Sequence, residues 1–435
     1  MNKIDELTNE ASAMQKPVSD IAERGGSGAI AQLIQQYCPD GVEYVPIWSL
    51  TAWDKKFNGV EKSKQTKVIK YNYLLAADLK SYQVENGTVK LLTTNISNLY
   101  TTEELSDGLA SDGEVVAIPW GGNPIVQYYK GRFLTADNRI ATSLDTNILN
   151  NKFLYYCMLS QMKLIASFYR GSGIKHPEMS KVLDLEIPLP PLPVQEAIVN
   201  ILDRFAEYTA ELQAELQARQ QQYNYYRDTL LSFEGREDVQ WKKLGEIEKC
   251  HCSGSTPTKS KKEYYDNGTI PWLRTQDVKF NEITEVDSFI TEVAVKETSV
   301  KWIPENCVIV AISGATAGRC AINKIKTTTN QHCLNIEIDD RKALYKYVFY
   351  CVCNQFDELI SLKQGARGDL NSSSILNVKI PVPSLSEQQR IVNILDRFDR
   401  LINDLSQGLP AEIEAREQQY EYYRDQLLTF KKKEA

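Results

Sequence analysis

The peptide YYRDTLLSF, Tyr225–Phe233, returns as YYRDQLLTF, Tyr422–Phe430, and this recurrence restricts what the chain can fold into more than any other feature. It belongs to a longer duplication. IPLPPLPVQEAIVNILDRF from Ile187 is matched by IPVPSLSEQQRIVNILDRF from Ile380, with 13 of 19 positions identical. At nearly the same shift, GVEYVPIWSL from Gly41 faces DVQWKKLGEI from Asp238, and LYYCMLSQ from Leu154 faces FYCVCNQ from Phe349. A period of roughly 190 residues is far beyond the 20–50 of a stacked solenoid, so the chain reads as two copies of one module.

The duplicated part is helical. From Ile198, alternating steps of four and three pick out Ile198, Leu202, Phe205, Thr209, Leu212, Leu216, Arg219, Tyr223, Tyr226, Leu230 and Phe233. Such steps hold one narrow stripe toward a partner helix, as the a and d positions of a coiled coil do. At about 1.5 Å per residue, a helix from Gln195 to Phe233 is on the order of 58 Å long, too long to bury its stripe on one small domain. The second copy runs Ile391, Leu395, Phe398, Ile402, Leu405, Leu409, Ile413, Arg416, Tyr420, Tyr423, Leu427 and Phe430, with four extra residues. They form a stutter beside Gly408 and Pro410, where a bend or restart is expected. The simplest partner for each stripe is the other copy, which predicts an antiparallel pair with pseudo-two-fold symmetry. PLPPLP at Pro188–Pro193 reads as a strand-to-helix connector, because the second copy keeps only PVPS.

Between the helices the copies diverge. Both intervening segments carry β-branched runs among glycine-rich turns, VVAIPW from Val115 and CVIVAIS from Cys307, and each is followed by a helix, near Leu154–Tyr169 and Tyr345–Leu362. The expected fold is therefore α+β: two α/β domains separated by two long helices that form an antiparallel coiled coil, with a pseudo-two-fold internal repeat. The boundaries are an N-terminal extension and short helix over 1–40, the first domain over 41–186, the first repeated helix over 187–236, the second domain over 237–379 and the second repeated helix over 380–435. Residues 1–30, with GGSG at Gly25, have no counterpart in the second copy.

Alike helices imply a shared task, and unlike domains imply separate ones. In the second domain GSTPTKSKKEYY, IPWLRTQDV, AISGATAGRC and TTTNQHCLNIE mix short amides and hydroxyls with Arg, Lys and aromatics. Asn and Gln pair bidentately with adenine and Arg with guanine, while Lys and backbone amides hold phosphates. The candidate DNA contacts are Thr256, Thr258, Lys259, Lys261, Arg274, Gln276, Thr316, Arg319, Asn330 and Gln331. In the first domain they are Thr94, Asn95, Asn123, Asn138 and Arg139, with Asn138 aligned to Asn330. Asn and Thr equally shape turns and caps. Lysines cluster at 55, 56, 62, 64 and 67 and at 259, 261 and 262, against a formal net charge of −7. The acid concentrates in the helices, where Val194–Glu237 holds eight acidic and four basic residues.

Catalytic signatures are missing. There is no GxGxxG after a strand, no GxxxxGK[ST] loop and no HExxH, and the Asn/Asp-Pro-Pro-aromatic tetrad of adenine methyltransferases is not found. KCHC at Cys250–Cys252 and CVC at Cys351–Cys353 lack the two-residue spacing of a zinc knuckle, so no metal is expected. Nine scattered cysteines fit free thiols in a reducing compartment. No apolar run approaches the roughly 18–20 residues of a membrane span, so the expectation is a cytoplasmic protein without membrane contact.

The chain resembles the DNA-specificity subunits of type I restriction-modification systems. The resemblance is carried by QYCPDGVEYVPIWSL at Gln36, the PLP or PVP connector before EQQRIVNILDRF, GLPAEIEAREQQYEYYRDQLLTF at Gly408, and GSTPTK, IPWLRTQDV, SGATAGRC and TTTNQ in the second domain. The first domain departs from that wording. The resemblance implies two target-recognition domains, each binding half of a split, non-palindromic site in double-stranded DNA, with the helices as a ruler; half-sites one helical turn apart lie about 34–36 Å from centre to centre. It implies partners as well: two methyltransferase subunits docked on the helices and restriction subunits beyond them. This chain is then a non-catalytic recognition subunit without cofactor, while S-adenosylmethionine, ATP and Mg act on the partners. Tyr225, Asp228, Tyr422 and Asp425 lie off the seam yet recur, so they are the expected docking residues. The rival readings are a coiled-coil adaptor without sequence-specific DNA recognition, and a standalone enzyme, which the missing motifs disfavour.

Overall fold

A computed structural model describes residues 27–363, 369–404 and 408–434. Of the extension expected over residues 1–30, only Ser27–Ile30 belong to the described residues, and Leu405 of the seam lies outside them. Six helices form the framework: α1 (Ser27–Tyr37), α2 (Asn151–Ser160), α3 (Leu192–Leu231), α4 (Tyr345–Asn354), α5 (Leu385–Asn403) and α6 (Leu409–Leu427). The chain divides into two compact units, one reaching Gln213 and resuming at Glu412, the other spanning Ala214–Ala411, so that α3 contributes to both. None of the described helices is long and apolar enough to cross a membrane.

The first unit is built on a six-stranded mixed sheet in the order Thr51–Trp53, Asn138–Ser143, Ser111–Pro119, Gln127–Thr135, Val89–Leu92 and Tyr100–Thr101. VVAIP is apolar at every position because both of its faces are covered. Val115 and Ala117 pack with Phe133 and Ile140, whereas Val116 and Ile118 join Phe153 and Leu154 of α2, as the two-residue side-chain period of a strand requires. The C-terminal segment returns to this unit. Val42 N donates to Lys431 O at 2.8 Å and Lys433 N to Val42 O at 3.0 Å. Gly41 sits at φ +97, where a Cβ would lie 2.6 Å from Lys431 O, so the junction takes only glycine.

The second unit has two smaller sheets. One orders Glu248–Ser253, Cys333–Ile338, Val308–Ala311, Cys320–Asn323 and Glu282–Ile283; the other orders Phe289–Ile290, Ile270–Leu273, Thr327–Thr329 and Trp302–Ile303. Val308 and Val310 face the core around α4, while Ile309 and Ala311 face Leu273 and Val278.

Each unit makes the same framework contacts. Asp203 of α3 accepts from Lys152 Nζ (2.8 Å) and Tyr156 OH (2.5 Å) of α2; Asp396 of α5 accepts from Lys346 Nζ (2.8 Å) and Tyr350 OH (2.6 Å) of α4. Gln195 Oε1 accepts Asn150 N (2.9 Å) while its Nε2 donates to Pro190 O (2.8 Å), and Gln388 repeats this with Leu344 N (2.8 Å) and Pro383 O (2.9 Å). On the seams, Phe205 of α3 stacks on Tyr423 of α6 at 5.3 Å, and Phe398 of α5 stacks on Tyr226 of α3 at 5.6 Å. Tyr208 reaches Glu412 at 3.0 Å and Gln213 reaches Glu417 at 3.5 Å. From Phe205 to Gln213 along α3 the partner on α6 falls from Tyr423 to Glu417, the mark of an antiparallel pair. The seam arginines are matched too: Arg219 binds Glu215 and Gln222, and Arg416 binds Glu412 and Gln419. A polar group on an apolar seam fixes register at some cost in stability.

One sequence expectation is corrected. The helix following each sheet is a pair of helices, Asn151–Ser160 with Met162–Ser167 and Tyr345–Asn354 with Phe356–Ser361. The breaks fall at Gln161 and Gln355, whose side-chain amides leave the helix to donate to Glu186 O (3.0 Å) and Lys379 O (2.7 Å). The second repeated helix restarts beside Gly408 and Pro410, as the stutter in its sequence predicted, and runs as α5 and α6. α6 restarts at Leu409 with Pro410 in its first turn, where a missing amide costs no hydrogen bond.

Candidate nucleic-acid interface

In the second unit the strand ends bring four loops to one edge. Ser255 N donates to Thr329 O (2.9 Å), Asn330 N to Leu273 O (3.0 Å), Ile312 N to His332 O (2.9 Å) and Arg319 N to Thr316 O (3.0 Å). Gly254 is required for this gathering, because a Cβ there would collide with the Thr329 carbonyl. Thr256 and Gln331 meet side chain to side chain, and Gln331 Nε2 lies 3.0 Å from His332 Nε2. Arg274, half-buried, heads the next loop with its amide on Asp277 Oδ2 (2.8 Å), and its buried Nε has no hydrogen-bond partner among the described residues. Thr258, Lys259, Gln276 and Gln331 are exposed, and Thr256, Thr316 and Arg319 half-buried.

Two candidates there are held by the protein. Asn330 is buried and its Oδ1 accepts His332 N at 3.1 Å, so it shapes the loop that presents Gln331. Lys261 binds Tyr264 OH at 2.8 Å and lies 3.7 Å from both Glu263 and Glu297, which neutralise it.

In the first unit the loops at 93–98, 119–123 and 171–176 meet around the turn at 135–138. Gln127 Nε2 donates to Thr93 O (2.8 Å), Trp120 N to Asp137 O (2.7 Å) and Gly122 N to Lys175 O (3.0 Å). Thr94 is half-buried, and Asn95 and Asn123 are exposed. Asn138 is 0% exposed, and its amide donates to Leu92 O (2.8 Å) and Thr135 Oγ1 (3.1 Å). It is a strut between strands and cannot reach a base. Arg139 is also buried: it donates to Asn138 O (2.7 Å) and lies 4.0 Å from the Trp120 ring centre. Burial lowers its pKa. Asp54 beneath it accepts Ile140 N (3.0 Å) and Tyr73 OH (2.8 Å), with burial raising its carboxyl pKa despite those donors. These two sequence candidates are therefore corrected: Asn138 ties strands together and Arg139 supports Trp120. Of the N-terminal lysine cluster, Lys64 pairs with Asp184 at 2.7 Å and Lys55 lies 3.9 Å from buried Asp54, while Lys56, Lys62 and Lys67 are exposed.

Sequence reasoning passed over Trp120, Ile174 and His176. The signal was the run RGSGIKH, which has an arginine and a lysine around two glycines and no acid. It also passed over the Asp203 and Asp396 joints, although Lys152, Tyr156, Lys346 and Tyr350 recur at matching spacings.

The docking candidates stand outside the seam. Tyr225 is 67% and Tyr422 62% exposed. Asp228 and Asp425 each pair with a neighbouring arginine, Arg227 (2.8 Å) and Arg424 (2.9 Å). Beside Asp228 lies a cleft of about 190 Å³ lined also by Leu231, Trp241 and Pro381. Among the described residues no three His, Cys, Asp or Glu side chains gather as a metal site would need. His251 turns to Glu248 (2.9 Å), and Cys351 is buried in α4.

Comparison with known proteins agrees with this architecture. The family model of the type I restriction modification DNA specificity domain matches twice, over residues 59–219 and 236–415. The chain is 39% identical over 309 residues to the type I restriction enzyme EcoR124I/EcoR124II specificity subunit of Escherichia coli, covering 68% of this chain and 75% of that one. It is 31% identical over 347 residues to a putative type I restriction enzyme specificity subunit of Haemophilus influenzae, covering 75% and 86%. The crystal structure of a type I restriction-modification S subunit from M. genitalium superposes with a TM-score of 0.60 at 17% identity, covering 89% of this chain and 96% of that one. With two matches of the specificity-domain model on a duplicated helical framework, the chain belongs to the family of DNA-specificity subunits of type I restriction-modification systems.

Proposed function

We propose that the chain recognises a bipartite, non-palindromic site in double-stranded DNA, one half with each recognition unit, and scaffolds two methyltransferase subunits and the restriction subunits. The observation that carries this reading is the contrast between the units. Their framework contacts repeat residue for residue, from Gln195 and Gln388 to Asp203 and Asp396, while their sheets differ in strand number and order. A repeated framework suits two identical partners; two different sheets suit two different half-sites. The polar edges described above are where base contacts belong in this reading. The chain itself is non-catalytic, and S-adenosylmethionine, ATP and Mg serve the partners.

Co-expression with the neighbouring methyltransferase, followed by mapping of N6-methyladenine and by DNA binding as a function of salt, tests it. The expected result is one split methylated motif. A complex that assembles yet prefers no bipartite sequence sinks the proposal and leaves the coiled-coil adaptor.

Arg274→Ala and Gln331→Ala should each weaken binding to cognate DNA by about 1–3 kcal/mol relative to random DNA. Asn330→Ala, which removes the acceptor of His332 N, should instead lower binding through loss of the loop. Equal losses on both DNAs for Arg274→Ala would make that residue a phosphate contact or a support.

Replacing Tyr225 and Asp228 together by alanine should leave one methyltransferase subunit bound per chain, and so should replacing Tyr422 and Asp425. Native mass spectrometry reads the stoichiometry. Two subunits retained in both variants would place docking elsewhere.

A further inference from the structure

The first recognition unit carries an exposed apolar side chain on a rigid cationic ribbon, and nothing in the framework or in the sequence candidates uses it. Tyr169–Arg170 pairs antiparallel with His176–Pro177, leaving a five-residue tip, Gly171–Lys175. The tip is tightly folded: Gly171 has φ +142, and a Cβ there would lie 2.6 Å from Ile174 O. It is also braced. Gly122 N donates to Lys175 O (3.0 Å), His176 Nδ1 lies 2.7 Å from Trp120 O, and Tyr169 OH donates to Pro119 O (2.9 Å). Trp120, the base of this brace, is held between the Arg139 guanidinium at 4.0 Å and the His176 ring at 5.2 Å. At the apex Ile174 is 70% exposed. Arg170, Lys175 and His176 around it are exposed, and no acidic residue occurs from Arg170 to Pro177.

We propose that this ribbon enters the major groove of the half-site read by the first unit and that Ile174 contacts the 5-methyl group of a thymine there. The inference rests on the DNA-recognition reading above and adds a specificity-determining residue to it. A two-stranded ribbon fits the major groove, and the thymine methyl is the one apolar mark on its floor. The flanking cations face phosphates, which position without specifying. An apolar tip meant for a protein surface would need no Arg170 and Lys175 beside it, unopposed by any acid from Arg170 to Pro177, in a chain whose formal net charge is −7. Bracing by the Trp120 loop fixes the tip before binding, so little ordering entropy opposes the contact.

The test uses the full chain co-purified with its methyltransferase subunits and a duplex carrying the mapped motif. Ile174→Ala should weaken cognate binding by about tenfold and random-DNA binding by less than about twofold, the loss expected for one buried aliphatic contact. Replacing thymines one at a time by deoxyuridine should reveal one position where removing the methyl weakens the wild-type complex about fourfold but leaves Ile174→Ala unchanged. Lys175→Gln should weaken both DNAs alike. Because Ile174 is exposed, its truncation leaves the fold intact, and circular dichroism of the complex checks this. Unchanged cognate affinity of Ile174→Ala, equal losses on both DNAs, deoxyuridine effects that do not depend on Ile174, or loss of methyltransferase assembly would each overturn the inference. The last outcome would make the tip a protein contact. A wild-type complex without sequence preference would refute the recognition reading itself, which separates the two failures.

Discussion

Inserting a third AELQ after Gln213 is expected to lengthen the unmethylated spacer of the recognised motif and to leave the bases of both half-sites unchanged. The sequence already holds this tetrad in tandem, Ala210–Gln213 and Ala214–Gln217. Leu212 and Leu216 are its seam residues, buried and half-buried. A third copy advances the helix axis by about 6 Å and turns it about 40° beyond one full revolution, so the added leucine stays close to the stripe. That advance is nearly two base-pair rises of about 3.4 Å. The site falls where α3 changes partner: Phe205 meets Tyr423 of α6, whereas Tyr226 meets Phe398 of α5. Among the described residues α5 ends at Asn403 and α6 begins at Leu409, so the insertion does not have to break a continuous partner helix. Inserting a single residue instead rotates everything beyond it by about 100° and takes the stripe off its partner, so soluble protein should be lost. Mapping N6-methyladenine in cells that carry each variant decides the matter. A spacer of unchanged length in the tetrad variant, or altered half-site bases, would falsify the ruler.

The framework was legible in the sequence because a heptad-like stripe and a duplicated peptide are patterns of spacing, and spacing survives into structure. The seam from Ile198 to Phe233 is buried or half-buried at every step. The polar edges were legible only in outline, since Asn and Arg serve a loop and a ligand with the same groups. Asn138 illustrates this: it and Asn330, with which the sequence aligned it, both proved to be held inside, Asn138 donating to Leu92 O and Asn330 accepting from His332 N. The presented residues are their neighbours, Gln331 in one unit and the tip around Ile174 in the other. Helix interruption at Gln161 and Gln355 was hidden for another reason. Glutamine is an ordinary helix residue, and the sequence does not show that a carbonyl on the adjacent strand takes its amide at the break.

Asp203→Ala should destabilise the first unit by about 3 kcal/mol, and Asp396→Ala the second by only about 2 kcal/mol. The two joints look identical in sequence, and the difference lies in what each lysine keeps. Without Asp203, Lys152 retains only the Tyr128 ring, 5.2 Å away, and the buried Tyr156 hydroxyl loses its acceptor. Without Asp396, Lys346 still holds Glu282 at 2.8 Å, so only Tyr350 is orphaned. Burial, reinforced by the neighbouring carboxylate, raises both phenols far above their ordinary pKa, so each remains a protonated donor that needs an acceptor. Asp203→Asn keeps one oxygen for Tyr156 and should recover about half of the loss, whereas Tyr156→Phe together with Asp203→Ala should cost less than Asp203→Ala alone, because no buried hydroxyl is then stranded. Hydrogen exchange of the amides in α2 and α4 resolves the units separately. Equal losses in the two units, or no rescue by Tyr156→Phe, would count against this account. The joint ties α2, and the recognition sheet packed on it, to the long helix; a unit loosened there should still bind DNA but discriminate less between cognate and random sequence, since base readout depends on a sheet held in fixed register with its framework.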